Sequence, residues 1–166
     1  MSGLNKEFRN LYNPALGAAI LLRFSEGYSQ NENRGLPLSV LYIVLPMVLQ
    51  EPNLNLLSGT QIDSGLRKFV AKFSSNDNSM TDLILSFPKR TEEMRDLTER
   101  SIKMALMTKL LVMEPKEGIL FPNPKMKIQP RLSADVQRIL KAANKFGKWC
   151  SQLSLFEIGN LLGLEF

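Results

Sequence analysis

The sequence predicts a mainly α-helical fold with one small β-hairpin. Three observations predict it: apolar residues recur at helical spacing along most of the chain, two short apolar runs flank a turn at residues 115–118, and the last third holds an amphipathic helix. The 166 residues are 44% hydrophobic and 22% charged. A chain of this size and composition buries enough surface to hold a core without disulfides.

Two apolar segments dominate the first part of the chain. Asn13-Pro14 predicts a helix start, because Asn is a good N-cap and Pro suits the first turn. The segment 36–49 predicts a second apolar helix, opened by Leu36-Pro37 and kinked or shortened at Pro46. Helices that are apolar on all sides lie in the interior or under a partner, and both alternatives stay open.

Shorter elements are expected to follow. Residues 51–60 are predicted as a loop, 64–73 as a short amphipathic helix and 74–79 as a linker. Residues 81–87 are predicted as a helix that ends at Pro88.

The second half predicts a helix, a hairpin and two more helices. Residues 92–112 form the longest periodic stretch, and the runs 111–114 and 118–121 predict the two hairpin strands. A helix from Ser133 to about Cys150 and a short one capped by Ser154 complete the order. These parts resemble a winged helix-turn-helix in permuted order, although a plain helical bundle fits nearly as well.

The length predicts one domain over residues 1–166. The alternative is a division into an apolar helical half, 1–76, and a winged-helix-like half, 77–166.

Positive charge is concentrated late in the chain. The net charge is +5, whereas residues 125–148 alone hold seven basic residues against Asp135. Most of these cations share one face of the helix predicted from Ser133, so they are candidate contacts to DNA phosphates, with a salt slope of about −3.6 for four contacts. A solvated face and a contact to an acidic protein are the alternatives. The candidates are Lys125, Lys127, Arg138, Lys141, Lys145 and Lys148.

The composition argues against an enzyme. There is no His and a single Cys, which removes the common acid–base and nucleophile pairs and the usual zinc sites. Gly147-Lys148 lacks the remaining residues of a phosphate loop, and the carboxylates of 92–99 alternate with basic residues as on a solvated helix. We therefore expect no catalytic, cofactor-binding or metal site.

Two further expectations concern charge burial and location. Arg23 and Glu26 lie in an apolar helix at i, i+3 and are expected to pair, with a subunit contact as the alternative. The first residues lack the apolar stretch of an export signal, and the run 36–49 is too short to span a membrane. A cytoplasmic protein without membrane contact is expected.

The two ends of the chain resemble a known family. Asn13-Pro14-Ala15, the segment 21–28 and the apolar run from Leu36 to Leu49 are similar to the opening of the middle component of three-component ABC ATPase systems. The basic helix ending Gly147-Lys148-Trp149 and the short helix ending Gly163-Leu164 are similar to its close.

The resemblance implies a function. Middle components are non-catalytic adaptors that join a large SMC-like ABC ATPase, similar to chromosome-maintenance and double-strand-break-repair ATPases, to an effector, expected to be a nuclease. Lamassu-type anti-phage complexes, which sense foreign DNA, are similar systems, and members have winged-helix character. The resemblance makes the matching motif residues packing or partner-docking candidates: Arg23, Phe24, Glu26, Tyr28 and Trp149.

Two other functions remain as alternatives. One is a stand-alone winged-helix regulator that binds DNA through the late basic helix. The other is a small enzyme that uses carboxylate chemistry.

Overall fold

The computed structural model describes residues 12–30, 34–74, 78–128 and 131–166. Its α-helices are α1 (Pro14–Ser29), α2 (Val44–Val48), α3 (Glu51–Gly59), α4 (Gly65–Ala71), α5 (Asn78–Leu85), α6 (Phe87–Glu93), α7 (Arg95–Met107), α8 (Ala134–Ser151) and α9 (Leu155–Leu162). Three short 3-10 helices cover Leu38–Ile43, Ile62–Ser64 and Lys72–Ser74. The strands are β1 (Leu36–Pro37), β2 (Leu111–Glu114) and β3 (Ile119–Pro122). The mainly α prediction is confirmed, and the winged-helix character stays a prediction.

The long central helix α1 organises the core. Its N-cap Asn13 accepts a hydrogen bond from the Ala15 N–H at 2.8 Å, which confirms the predicted start. The helix is buried on nearly every side and packs mainly against α8 and α7. Its apolar surface therefore belongs to the domain's own core, which was one of the two alternatives.

The predicted hairpin is present and gains a third strand. Strand β2 pairs antiparallel with β3 through Leu111↔Pro122, and Gly118 adopts the left-handed φ of +64° in the connecting turn. Strand β1 then pairs with the other edge of β3, with Leu36 opposite Leu120. Because α1 packs on α8 and β1 pairs with β3, the segments before and after residue 76 contribute to the same core; residue 76 itself lies outside the described residues.

The prediction for residues 36–49 was wrong in its first part. Leu36-Pro37 is extended, because the residue before a proline is disfavoured in the helical region and Pro37 itself has ψ 137°. The chain then forms the 3-10 helix of residues 38–43 before entering α2, where Pro46 is the third residue. Pro46 thus lies in the first turn of α2, where a proline is tolerated.

The loop predicted for residues 51–60 was also wrong. Pro52 lies in the first turn of α3, where its fixed φ favours a helix, and Leu54 and Leu57 are buried one turn apart. Similarly, Pro88 lies in the first turn of α6, which begins at Phe87 after α5 has ended at Leu85. Met94 interrupts the long helix predicted from residue 92. Of the predicted linker 74–79, residues 75–77 lie outside the described residues.

The late helices follow the predictions closely. The Ser133 hydroxyl accepts a hydrogen bond from the Val136 N–H, and α8 runs on to Ser151. Ser154 and Glu157 form a reciprocal capping box at α9, which ends at Gly163 in the left-handed conformation.

No single helix among the described residues is long and apolar enough to cross a membrane. Leu38–Val48 and Glu51–Gly59, which are bent by 97° relative to each other, are long and apolar enough only when they are counted together, by length and composition alone. Most apolar side chains of residues 40–48 are buried in the core of the fold.

Candidate partner and nucleic-acid surfaces

The aromatic docking candidates lie inside the domain. Phe24, Tyr28 and Trp149 are almost completely buried where α1 crosses α8. The Trp149 indole N–H donates a hydrogen bond to the Ile62 carbonyl at 2.6 Å, and its ring lies 5.4 Å from that of Phe69. These three side chains therefore pack in the core and do not form a docking surface.

The remaining two docking candidates form the predicted ion pair. Arg23 Nη1 donates to Glu26 Oε2 at 2.9 Å, and both side chains are about one-third exposed. The pair lies at the surface, where an exposed ion pair contributes little stability. Its charges are thus within reach of a partner.

Helix α3 engages two of the predicted DNA-contacting cations. Arg138 donates to Glu51 Oε1 at 3.0 Å and also to Asn55, so its guanidinium is bound along α3. Lys145 Nζ donates to the carbonyls of Leu57 at 2.9 Å and of Thr60 at 2.7 Å.

These carbonyls end α3, where the negative end of the helix dipole favours a cation. Burial, and secondarily the charge of Lys72, lowers the pKa of Lys145. A phosphate contact by Arg138 or Lys145 would compete with these internal bonds.

The other four cations are differently placed. Lys125 and Lys127 are exposed in the segment before α8, Lys141 is exposed on α8, and Lys148 is half-buried. Phosphate contact by these four stays a prediction.

Two cavities flank Lys141 and share its side chain and that of Gln137. The first, of about 560 Å³, is lined by Arg23, Ile128, Leu132, Leu140 and Asn144 in addition. The second, of about 480 Å³, is lined in addition by Ser58, Ala134, Arg138, Ala142 and Lys145. We call the two together the Lys141 groove.

A second exposed feature is apolar. Three adjoining surface depressions are connected through shared residues: Tyr42 lines the first two, and residues 164–166 line the last two. We call this surface the Tyr42 strip. Its apolar members include Tyr42, Leu106, Met107, Phe156, Leu164 and Phe166. Met107 is 73% exposed and Phe156 is 76% exposed, so the strip offers apolar area to a partner.

The strip also has a polar edge. The Tyr42 hydroxyl donates to Glu99 at 3.4 Å, and the Arg95 guanidinium lies over the Tyr42 ring, 5.8 Å from its centre. Burial, followed by the charge of Glu99, raises the pKa of Tyr42. The phenol therefore stays neutral at physiological pH.

The groups considered for catalysis are buried or form ion pairs at the surface. Cys150 is completely buried, and burial raises the pKa of its thiol far above the usual range. The carboxylates of residues 92–96 form surface ion pairs, including Glu92 with Arg95 at 2.9 Å. Within the part of the chain that the structure describes, no group of three or more Cys, Asp or Glu side chains could hold a metal ion.

The sequence indicates several cations of the Lys141 groove but neither surface as a whole, because each surface depends on distant segments. The Lys141 groove needs α1 beside α8, and its second cavity is closed by α3, which was predicted as a loop. The Tyr42 strip joins the 3-10 helix of 38–43 to α7 and to the residues after α9.

One comparison with known proteins gives a match. A family model described as ABC-three component (ABC-3C) system Middle Component 3 matches residues 1–166. The match confirms the resemblance to middle components, whereas the likeness to Lamassu-type systems stays a prediction. No curated protein and no solved structure shows significant similarity to the chain.

Proposed function

Because this chain belongs to the Middle Component 3 family of ABC-three component systems, we propose that it is a non-catalytic adaptor subunit of such a system. The observation that carries the proposal is the family match, which takes in all 166 residues. A middle component has partners by definition, so its exposed surfaces are expected to serve contacts with the other two components.

In the full proposal, the adaptor joins an SMC-like ABC ATPase to an effector, expected to be a nuclease. The assembled system would act in the cytoplasm as a DNA-sensing defence against phages or plasmids. Three observations support a non-catalytic role. The sequence has no His, Cys150 is buried, and surface carboxylates such as Glu92 are paired with basic side chains. The finer assignments rest on the sequence resemblance described above.

The Tyr42 strip supports the adaptor role physically. Water-exposed apolar side chains such as Met107 and Phe156 gain free energy when a partner covers them. A standard stable interface buries about 800 Å² on each side. We assign the strip to a contact with another component of the same system.

Co-purification from cells that express all three components tests the proposal. The tagged chain is expected to retain both other components at fixed stoichiometry, and purified chain alone is expected to show no ATP hydrolysis or DNA cleavage. Met107→Glu and Phe156→Glu in the strip are expected to release one component, because each places a charge in an apolar contact.

Leu85→Glu is the matched control, since Leu85 is 72% exposed and lies outside the strip. Retention of both components by the two strip variants would remove the assignment of the strip. Failure of the unmodified chain to retain either component would remove the adaptor proposal itself.

The basic segment favours a second candidate, a stand-alone winged-helix DNA-binding regulator. Such a protein binds an operator as a symmetric dimer, with half-sites about one helical turn apart. A sequence-specific footprint by the isolated chain, with no companion protein, would replace the adaptor by this regulator.

A further inference from the structure

The Lys141 groove combines a free cation with an apolar wall. Within the described residues, Lys141 has no hydrogen-bond or ion-pair partner, and its side chain is exposed between the two cavities. Ile128, Leu132 and Leu140 line the first cavity but not the second. A ligand that fits here carries negative charge next to an apolar group.

The charges around the groove are one-sided. Among the described residues, no Asp or Glu lines either cavity, whereas Arg23, Arg138, Lys141 and Lys145 do. Glu26 and Glu51, which pair with Arg23 and Arg138, are the nearest carboxylates that the structure connects to these cations. Arg23 donates to Glu26 through Nη1, and its other side-chain N–H groups have no acceptor among the described residues.

The polar amides at the groove are oriented by the fold. Asn144 Nδ2 donates to the Arg23 carbonyl at 3.1 Å, and Gln137 Nε2 donates to the Leu132 carbonyl at 2.8 Å. These bonds hold the side chains between α1, α8 and the segment before α8. The fold therefore holds the two amide side chains of the groove in place, whereas the exposed Lys141 side chain is available to a ligand.

We propose that the Lys141 groove binds an acidic segment of another component of the same system. Carboxylates of that segment bind Lys141 and Arg23, and an apolar side chain of the segment packs against Ile128, Leu132 and Leu140. This inference rests on the adaptor function proposed above and names the partner chemistry of one surface.

The geometry favours an acidic peptide over a nucleic acid. A phosphate backbone needs a row of available cations, but α3 already engages Arg138 and Lys145. Within the part of the chain that the structure describes, no aromatic side chain lines either cavity, so these residues offer bases no stacking platform. A concave site of about 560 Å³ with an apolar wall suits a side chain of a peptide better than a smooth phosphate chain.

A cross-linking experiment tests the inference in the assembled complex. The variant Gln137→Cys places a thiol at the groove, and Cys150 is the one native cysteine and is buried, so a thiol-directed photo-crosslinker labels residue 137 alone. After irradiation and digestion, mass spectrometry is expected to identify a segment of a partner component rich in Asp and Glu. A cross-link to a segment without acidic residues, or none in an intact complex, would overturn the inference.

Charge variants give a second, independent measurement. Lys141→Glu is expected to weaken binding of the cross-linked component at least tenfold, and Lys141→Gln to weaken it less. Lys116→Glu makes the same charge change at the exposed hairpin turn and is expected to leave binding unchanged. Equal effects of the variants at 141 and 116 would attribute the loss to overall charge and remove the specific contact.

The remaining outcomes separate this inference from the adaptor proposal. If a labelled DNA duplex binds the unmodified chain and Lys141→Glu abolishes that binding, the groove serves nucleic acid and the acidic-peptide assignment fails. If the complex forms but the groove stays uncovered, the adaptor proposal stands without this contact. If the unmodified chain binds no component at all, both proposals fail.

Discussion

Gly27 of α1 and Gly147 of α8 lie in the same helix crossing, each against the backbone of the other helix. A Cβ atom on Gly27 would come within 2.1 Å of the Asn144 carbonyl oxygen, and one on Gly147 within 2.1 Å of the Phe24 carbonyl oxygen. The two helices therefore approach more closely than any larger residue allows. This contact explains in physical terms why both glycines belong to the motifs that resemble the family.

Gly147→Ala and Gly27→Ala are each expected to destabilise the fold by about 3 kcal/mol, because the added methyl group meets rigid backbone and forces the helices apart. Urea denaturation followed by the fluorescence of Trp149, the single tryptophan, measures the change. Gly59→Ala is the control: it lies in α3 with nothing within 4 Å of the added Cβ, and it is expected to be neutral or to stabilise by up to about 1 kcal/mol. Equal stabilities of the three variants would contradict the close crossing.

Lys145 is predicted to stabilise the end of α3. Lys145→Ala leaves the Leu57 and Thr60 carbonyls without their charged donor and is expected to cost about 1–3 kcal/mol of unfolding free energy. Lys141→Ala, four residues earlier on the same helix, removes an exposed cation without partners among the described residues and is expected to change stability by less than about 0.5 kcal/mol. Similar losses in the two variants, measured by the same urea titration, would show that the helix-end contact is unimportant.

The sequence predicted the elements whose signals are local. Asn13 and Ser133 could be recognised as caps, and the hairpin strands could be recognised because the apolar runs flank a turn that ends in Gly118. The i, i+3 pair of Arg23 with Glu26 is likewise determined by helical spacing alone.

The errors occurred where distant parts of the chain decide the outcome. Residues 51–60 were predicted as a loop, yet burial of Leu54 and Leu57 against the core and the early Pro52 make this segment helix α3. That error carried over to the candidate site, because α3 supplies the groups that bind Arg138 and Lys145. Periodicity placed these cations on one face but could not indicate that another helix covers part of it.

Protonation of Glu157 is expected to lower the free energy of unfolding in acid. The Ser154 backbone N–H donates to its carboxylate at 3.0 Å, and this bond, followed by the Ser154 hydroxyl and the charge of Arg67, lowers the pKa of Glu157. Because the pKa is lower in the folded state, the ionised carboxylate stabilises the fold above its unfolded pKa of about 4.5, and this contribution disappears as the pH falls through the folded value.

Glu157→Gln keeps an acceptor oxygen at the cap but cannot titrate. The unfolding free energy of the unmodified chain is expected to fall more steeply than that of Glu157→Gln between about pH 5 and pH 3. Urea titrations at several pH values make the comparison. Parallel curves for the two proteins would show that the capping box does not carry this pH dependence.

The rate at which a thiol reagent labels Cys150 is expected to report on unfolding. The side chain is completely buried in α8, and burial raises the pKa of the thiol, so the reactive thiolate is scarce until the chain opens. A thiol-specific reagent at pH 8 is therefore expected to label the native chain only through its unfolded population, and to label it stoichiometrically in urea.

Gly147→Ala lowers stability by about 3 kcal/mol and so should accelerate native-state labelling roughly 100-fold, since each 1.4 kcal/mol changes the open population about tenfold. Rapid labelling of the unmodified chain in native buffer, or no acceleration in the glycine variant despite its lower stability, would show that the thiol is reached by a local opening independent of the α1–α8 crossing.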